Sequence, residues 1–232
     1  MLDRPTRLAY YRLALIGLPA LAACSAGLAS IAPADLAPIG PELVAEWRGG
    51  FVPDRHRRYD IRWRFYTPKG STAGRAAIRV APPDSLRFDY RGPFGRSGAA
   101  LVLGDSVAWA EPEKDVRDLI RLAPVFWAAL GIPPAPRAGA TTSARDGASR
   151  RAWRQVEGPD TLDVVHVRGA GPRLLSQLRQ GGITAATDTR FGPDGLPVRG
   201  EMRFPRDGSA FIFTVETADT AVTFDAATWR HP

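Results

Sequence analysis

Tyr59-Asp60-Ile61-Arg62-Trp63-Arg64-Phe65 places an aromatic or aliphatic side chain at every second position and a charge between each pair. A period of two puts all the large apolar groups on one face of an extended strand and all the charges on the other. A helix cannot use this pattern, because its apolar positions recur every three to four residues. The stretch is therefore a half-buried strand with Ile61, Trp63 and Phe65 as barrel-interior candidates.

The same reading extends in both directions. Ala76, Ile78 and Val80 continue on a second strand after the turn at Pro68–Gly74, and Leu86, Phe88 and Tyr90 alternate with Arg87, Asp89 and Arg91 on a third. Two strands, Ala99–Leu103 and Ser106–Ala110, flank Gly104-Asp105, and Trp109 joins Leu86 and Phe88 among the interior candidates. Further strands read at Arg151–Val156 and Leu162–Arg168, whereas Leu174–Gln180 fits strand or helix. Gly192-Pro193-Asp194-Gly195 is a hairpin signal between Ile183–Phe191 and Leu196–Phe204. Phe211–Val215 forms another strand, and Val222 and Phe224 suggest a last one. Ala135–Ser149 reads as a loop.

The period changes after Glu111-Pro112-Glu113. Val116, Leu119, Ile120 and Ala123 follow at helical spacing, Pro124 restarts the helix, and Phe126, Trp127 and Leu130 make the second piece apolar almost all round. A shorter helix is expected from Pro41 to Trp47. The fold class is mainly β, with some α: an incomplete antiparallel barrel of about ten or eleven strands. The kinked apolar helix from Val116 to Leu130 serves as its plug or lid. These apolar residues either line a cavity or simply form the core.

The chain of 232 residues carries a formal charge of +7. It has only two lysines and no asparagine, so the excess is arginine scattered along strands, which argues against a nucleic-acid partner. Near the start, Arg4, Arg7 and Arg12 precede the apolar run Leu13–Ala20 and then Leu21-Ala22-Ala23-Cys24. A basic stretch, a short apolar stretch and small residues before a cut site make a secretory signal. The run is about half the length needed to span a bilayer. Cys24 is the only cysteine. Its place resembles the bacterial lipobox, which implies acylation of its thiol and makes membrane lipid the first partner. The expected organisation is a signal peptide over 1–23, a lipidated N-terminus and tether over 24–41, and one domain over 42–232. The expected location is the bacterial cell envelope, lipid-anchored and facing the periplasm from the outer membrane.

Catalytic sets do not assemble in the sequence. His56, His166 and His231 stand in unrelated contexts without metal-ligand spacing, and no glycine-rich loop joins a strand to a helix. The expectation is a binding protein, not an enzyme, without metal or cofactor.

Ser85-Leu-Arg-Phe-Asp-Tyr-Arg-Gly-Pro-Phe-Gly95, a strand entering a Gly-Pro-Phe-Gly loop, and Phe126-Trp-Ala-Ala-Leu-Gly-Ile-Pro133, the end of an apolar helix, carry a resemblance. Together they resemble the LolA/LolB-like lipoprotein-localisation superfamily, and within it the LolB receptors, over about Trp47–Pro134. The resemblance implies an incomplete barrel around a cavity for lipoprotein acyl chains, a monomer, and exchange with a periplasmic carrier. It also implies that Pro93, Phe94 and Gly95 form a membrane-contact loop. Phe94 either protrudes as a wedge or folds back onto the barrel. The insertion here is shorter than in LolB proteins, and an envelope assembly protein that binds partners through the same fold is the competing expectation.

Overall fold

A computed structural model describes residues 30–117, 120 and 122–231. Cys24 and Leu119 lie outside the described residues.

The strands are β1 (Ala37–Pro38), β2 (Arg57–Thr67), β3 (Gly70–Ala81), β4 (Ser85–Arg91), β5 (Ser97–Leu103), β6 (Ser106–Glu111), β7 (Thr141–Asp146), β8 (Arg150–Glu157), β9 (Asp160–Val167), β10 (Arg173–Gln180), β11 (Ile183–Phe191), β12 (Pro197–Phe204) and β13 (Ser209–Asp219). The helices are α1 (Pro41–Gly49), α2 (Glu113–Arg117) and α3 (Ala123–Ala129). All thirteen strands form one antiparallel sheet in the order β1-β7-β8-β9-β10-β11-β12-β13-β2-β3-β4-β5-β6. Two meanders, β2–β6 and β7–β13, join where β13 pairs with β2. The sheet does not close, because β6 ends one edge and the two-residue β1 covers part of β7 at the other. The incomplete barrel is therefore the observed fold.

Three elements depart from expectation. β7 occupies part of the stretch read as a loop, and β10 takes the strand alternative. No strand includes Val222 or Phe224. β13 already has β12 and β2 on its two sides, so the chain after Asp219 cannot fold back as a hairpin beside it. It leaves the sheet, and the Phe224 N–H donates to His56 Nδ1 at 2.9 Å while the two rings stack.

Ile61, Trp63, Phe65, Leu86 and Phe88 all point into the concave side and are buried. Trp109 is a correction. A β-bulge between Leu101 and Val102 sets Trp109 opposite Leu101 and Val107 opposite Val102. The extra residue in β6 turns the indole to the convex face, the Arg87 side, where the guanidinium lies 5.3 Å from its ring centroid.

The helical insertion is also not one kinked helix. α2 ends at Arg117 and α3 begins at Ala123. All seven residues of α3 are buried, so this piece is a plug inside the barrel. Phe126 meets Phe88 edge-on at 5.3 Å between ring centroids, and Trp63 stacks on Phe211 at 5.9 Å. Two features seat the plug. Gly200 of β12 leaves room for it: a Cβ there would stand 2.3 Å from Ala129 O. Thr189 of β11, fully buried, donates its hydroxyl to Ala128 O at 2.8 Å and shares contact with Ala129 O at 3.0 Å. These are carbonyls of the last helical turn; Ala128 O also accepts the Gly131 N–H at 3.0 Å, so the Thr189 hydroxyl adds a second bond there. Gly131, at φ 81°, then reverses the chain, with Ile132 N–H returning to Trp127 O.

The convex face is partly covered too. Asp163, 1% exposed, takes two bonds from Arg154 at 2.6 and 3.0 Å and one from Ser30 at 2.7 Å. The chain is thus fixed to the sheet from Ser30 onward, six residues after Cys24 in the sequence.

Thr189→Val keeps the shape and removes the hydroxyl that bonds the α3 carbonyls. It is expected to lower unfolding free energy in urea by about 0.5–1.5 kcal/mol, the net worth of a hydrogen bond, because Ala128 O keeps the Gly131 N–H, with Thr189→Ser losing less.

Candidate functional site

The concave interior is largely filled by its own side chains. Val116, Ile120, Ala123, Phe126 and Leu130 all belong to that core, and Val116 and Ile120 also border a separate space of about 480 Å³ beside β6. Of the expected lid residues, Trp127 lines the apolar cavity that remains at the barrel mouth. This cavity measures about 310 Å³. Pro124, Trp127, Ile132, Leu162 and Leu178 make its apolar walls, supplied by α3, the segment after it, β9 and β10. The Trp127 Nε1–H donates to Gly104 O at 2.7 Å, which ties the plug to the β5–β6 hairpin and fixes this wall.

Polar groups converge on the apolar pocket from two sides. Gln155 of β8 is 6% exposed, and its Nε2 is a buried donor with no hydrogen-bond partner among the described residues. A lining donor left without an acceptor can be satisfied by a ligand oxygen or by water. Arg48 at the end of α1 donates Nε–H to Pro133 O at 2.7 Å, and burial pushes its guanidinium down from the usual value. At the mouth, Arg137 spans the open seam of the barrel. It meets Asp105 of the β5–β6 turn at 3.5 Å, Glu157 at 3.2 Å and Asp160 at 3.7 Å. An arginine between two hairpins that share no strand closes part of the gap that the sheet leaves open. The sequence reading missed Gln155, Arg48 and Arg137. Their only signal was position in strands or loops whose partners were unknown.

The second feature lies at a loop tip. Pro93, Phe94 and Gly95 form a single 3₁₀ turn between β4 and β5. Phe94 is fully exposed and adopts φ 56°, ψ 34°, and it is the only non-glycine residue with positive φ among the described residues. Of the two expected placements, the structure adopts the protruding one. Burying a phenyl ring is favourable by about 1.5–3 kcal/mol, and left-handed backbone costs roughly 1–2 kcal/mol. Phe94 forgoes the first and bears the second.

Two histidines already have structural roles. His166 on the concave face packs edge-on against Phe51 at 4.9 Å. Burial, followed by the charges of Arg168 and Arg151, lowers its pKa from the usual imidazole range. His56 uses Nδ1 to accept the Phe224 N–H.

The chain is similar in structure to a domain described as an outer membrane lipoprotein-sorting protein domain from Vibrio parahaemolyticus (TM-score 0.43, 8% identity, 82% of this chain and 95% of that one). It is also similar to a LolA superfamily protein from Nitrosomonas europaea (TM-score 0.40, 9% identity, 83% and 98%) and to a DUF1329 family protein from Desulfovibrio piger (TM-score 0.32, 7% identity, 82% and 96%). At these scores the likeness bears on no activity. No protein-family model matches the chain, and no curated protein does.

Two outcomes follow from these environments. Phe94→Gly relieves the left-handed strain and is expected to raise stability by about 1 kcal/mol in chemical denaturation. His166 is held neutral in the fold, so the unfolded chain takes up its proton first as pH falls below about 6.5. Stability should fall from there down to the lowered folded-state pKa, and His166→Phe should flatten that acid slope in pH-dependent thermal melts.

Proposed function

We propose that this is a lipid-anchored envelope lipoprotein that binds an acyl chain at the barrel mouth and touches a membrane with Phe94. On this reading it is a LolB-like carrier or receptor for lipoproteins and not an enzyme. The observation that carries the reading is Phe94, a fully exposed phenyl ring held out on strained backbone. An exposed aromatic at a loop tip is costly in water and favourable at a bilayer interface.

The cavity supports the same reading. Pro124, Trp127, Ile132, Leu162 and Leu178 give it an apolar wall, Asp84, Asp105, Glu157 and Asp160 add charge to the lining, and Gln155 presents an unpaired donor that suits an ester or carboxyl oxygen. A chain entering between the plug and β9–β10 would lie against Trp127, Leu162 and Leu178. At about 310 Å³ the space accepts part of one acyl chain, and a longer ligand requires the Arg137 contacts across the seam to part. Acylation of Cys24 would hold the domain near the bilayer, since Ser30, six residues on, is already bonded to the sheet.

A second reading has its own observation. β6 is an edge strand, and Val107 on it is 41% exposed. An extended segment of another protein could pair there by strand addition, as an assembly lipoprotein would require.

Displacement of a fluorescent fatty acid tests the cavity. The full chain should take up the probe, Trp127→Ala and Gln155→Leu should weaken uptake by about tenfold, and Phe94→Asp should leave uptake unchanged while abolishing vesicle binding. Absence of probe uptake by the unsubstituted chain sinks the carrier reading, and a partner crosslinked at Val107 would then favour the second. Mass spectrometry of the native envelope protein should find an acylated Cys24 at the N-terminus.

A further inference from the structure

Strand register brings together seven arginines that are far apart in sequence. On the convex face, Arg150 of β8 pairs with Val167 of β9, and Val167 pairs with Arg173 of β10. The line continues through Arg190, Arg199 and Thr214 on β11, β12 and β13. It ends with Arg62, Arg75 and Arg91 on β2, β3 and β4. Seven of nine successive positions are arginine, in one row across nine hydrogen-bonded strands. At the usual strand spacing the row is roughly 38 Å long.

Composition alone does not account for it. The neighbouring row on the same face reads Ala152, Val165, Leu175, Asp188, Glu201, Ile212, Arg64 and Ala73, with one arginine and two carboxylates. In the arginine row four pairs stand directly opposite one another: Arg173/Arg190, Arg190/Arg199, Arg62/Arg75 and Arg75/Arg91. Like charges directly opposite on adjacent strands are destabilising. Three carboxylates offset part of this. Asp188 binds Arg173 with an Nε–Oδ1 distance of 3.0 Å, Glu201 lies 3.8 Å from Arg199, and Glu216 lies 2.5 Å from Arg62 and 3.4 Å from Arg75. Arg150, Arg190 and Arg91 are exposed and have no carboxylate partner among the described residues. Beside the row on β2–β4, Ala77 and Ala99 help leave an open trough of about 810 Å³, whose lining mixes Arg58, Arg75, Arg79, Arg87 and Arg91 with the carboxylates of Asp60, Asp89, Glu111 and Glu216, so the row and not the trough carries the unpaired charge.

We propose that this row is a docking track for a linear polyanion, a single chain bearing phosphate groups along its length. Guanidinium forks match phosphate oxygens two bonds at a time, which suits arginine over lysine at such a site. The shape selects a chain over a membrane. The row follows the curve of the convex face, so a flat bilayer meets only a few of its members, whereas a flexible chain follows them all. The proposal stands apart from the acyl cavity and from Phe94.

Labelled long-chain inorganic polyphosphate is the probe, read by fluorescence anisotropy against the full chain over a salt series. Binding should weaken steeply with salt, because each neutralised phosphate releases counterions. The triple variant Arg91→Gln, Arg150→Gln and Arg190→Gln should bind about tenfold more weakly with a flatter salt slope, and its melting temperature should hold or rise. The charge-matched triple Arg55→Gln, Lys69→Gln and Arg206→Gln should lose less than about twofold. Equal losses in both triples would reduce the effect to net charge and overturn the track, as would no polyphosphate binding at about 0.1 M salt. Loss of binding only to phosphatidylglycerol vesicles in the row triple would assign the row to a membrane instead.

Discussion

An open antiparallel sheet with one apolar face must have that face covered, and in this protein α3 supplies much of the cover. A closed barrel would remove both edges, but this sheet leaves β6 and β7 unjoined. The concave side therefore depends on a seven-residue helix that is buried at every position. So short a helix has little intrinsic stability. It persists because Phe126 is inserted among Phe88 and Phe211, and because Thr189 bonds the carbonyls at its end. Trp127 is held at the other side by Gly104 O. The cavity at the barrel mouth is a consequence of this arrangement. It is the volume left where the plug stops and the Pro-rich segment after Ile132 bridges toward β7.

The strands with a buried concave face and a wet convex face were legible from alternation alone, as in Tyr59–Phe65 and Leu86–Tyr90. Legibility failed where one face was not simply wet. In β10, Leu174, Ser176 and Leu178 face inward, but Gln177 on the convex face is also buried, so no clean period of two survives. β7 carries Thr142 and Ala144 inward, residues too small and polar to announce a buried face. Trp109 shares its parity with Val107 in the sequence, and only the bulge in the β5–β6 ladder separates them. Bulges depend on the partner strand, which one segment of sequence does not contain.

The site was legible in a different proportion. The Pro93-Phe94-Gly95 turn is local, and glycine and proline around one large apolar residue mark it in the sequence. The polar groups of the cavity are not local. Gln155, Arg48 and Arg137 converge from β8, α1 and the segment before β7. The arginine row is the extreme case. Its members are separated by as few as nine and as many as 137 positions in the sequence, and only the register of eight strand pairs makes them neighbours.

The two faces of the sheet carry different kinds of cost. On the concave side almost every large group is matched, and Gln155 Nε2 is a lining donor that is not. On the convex side most arginines are matched as well: Arg58 with Asp60, Arg79 and Arg87 with Asp89, Arg154 with Asp163. Among the described residues Arg91, Arg150 and Arg190 have no carboxylate partner and stand on one line, and Phe94 stands unburied three residues beyond Arg91. Unmet interactions gathered in this way, next to neighbours that are satisfied, are better explained by contacts made with other molecules than by tolerance of disorder in the fold.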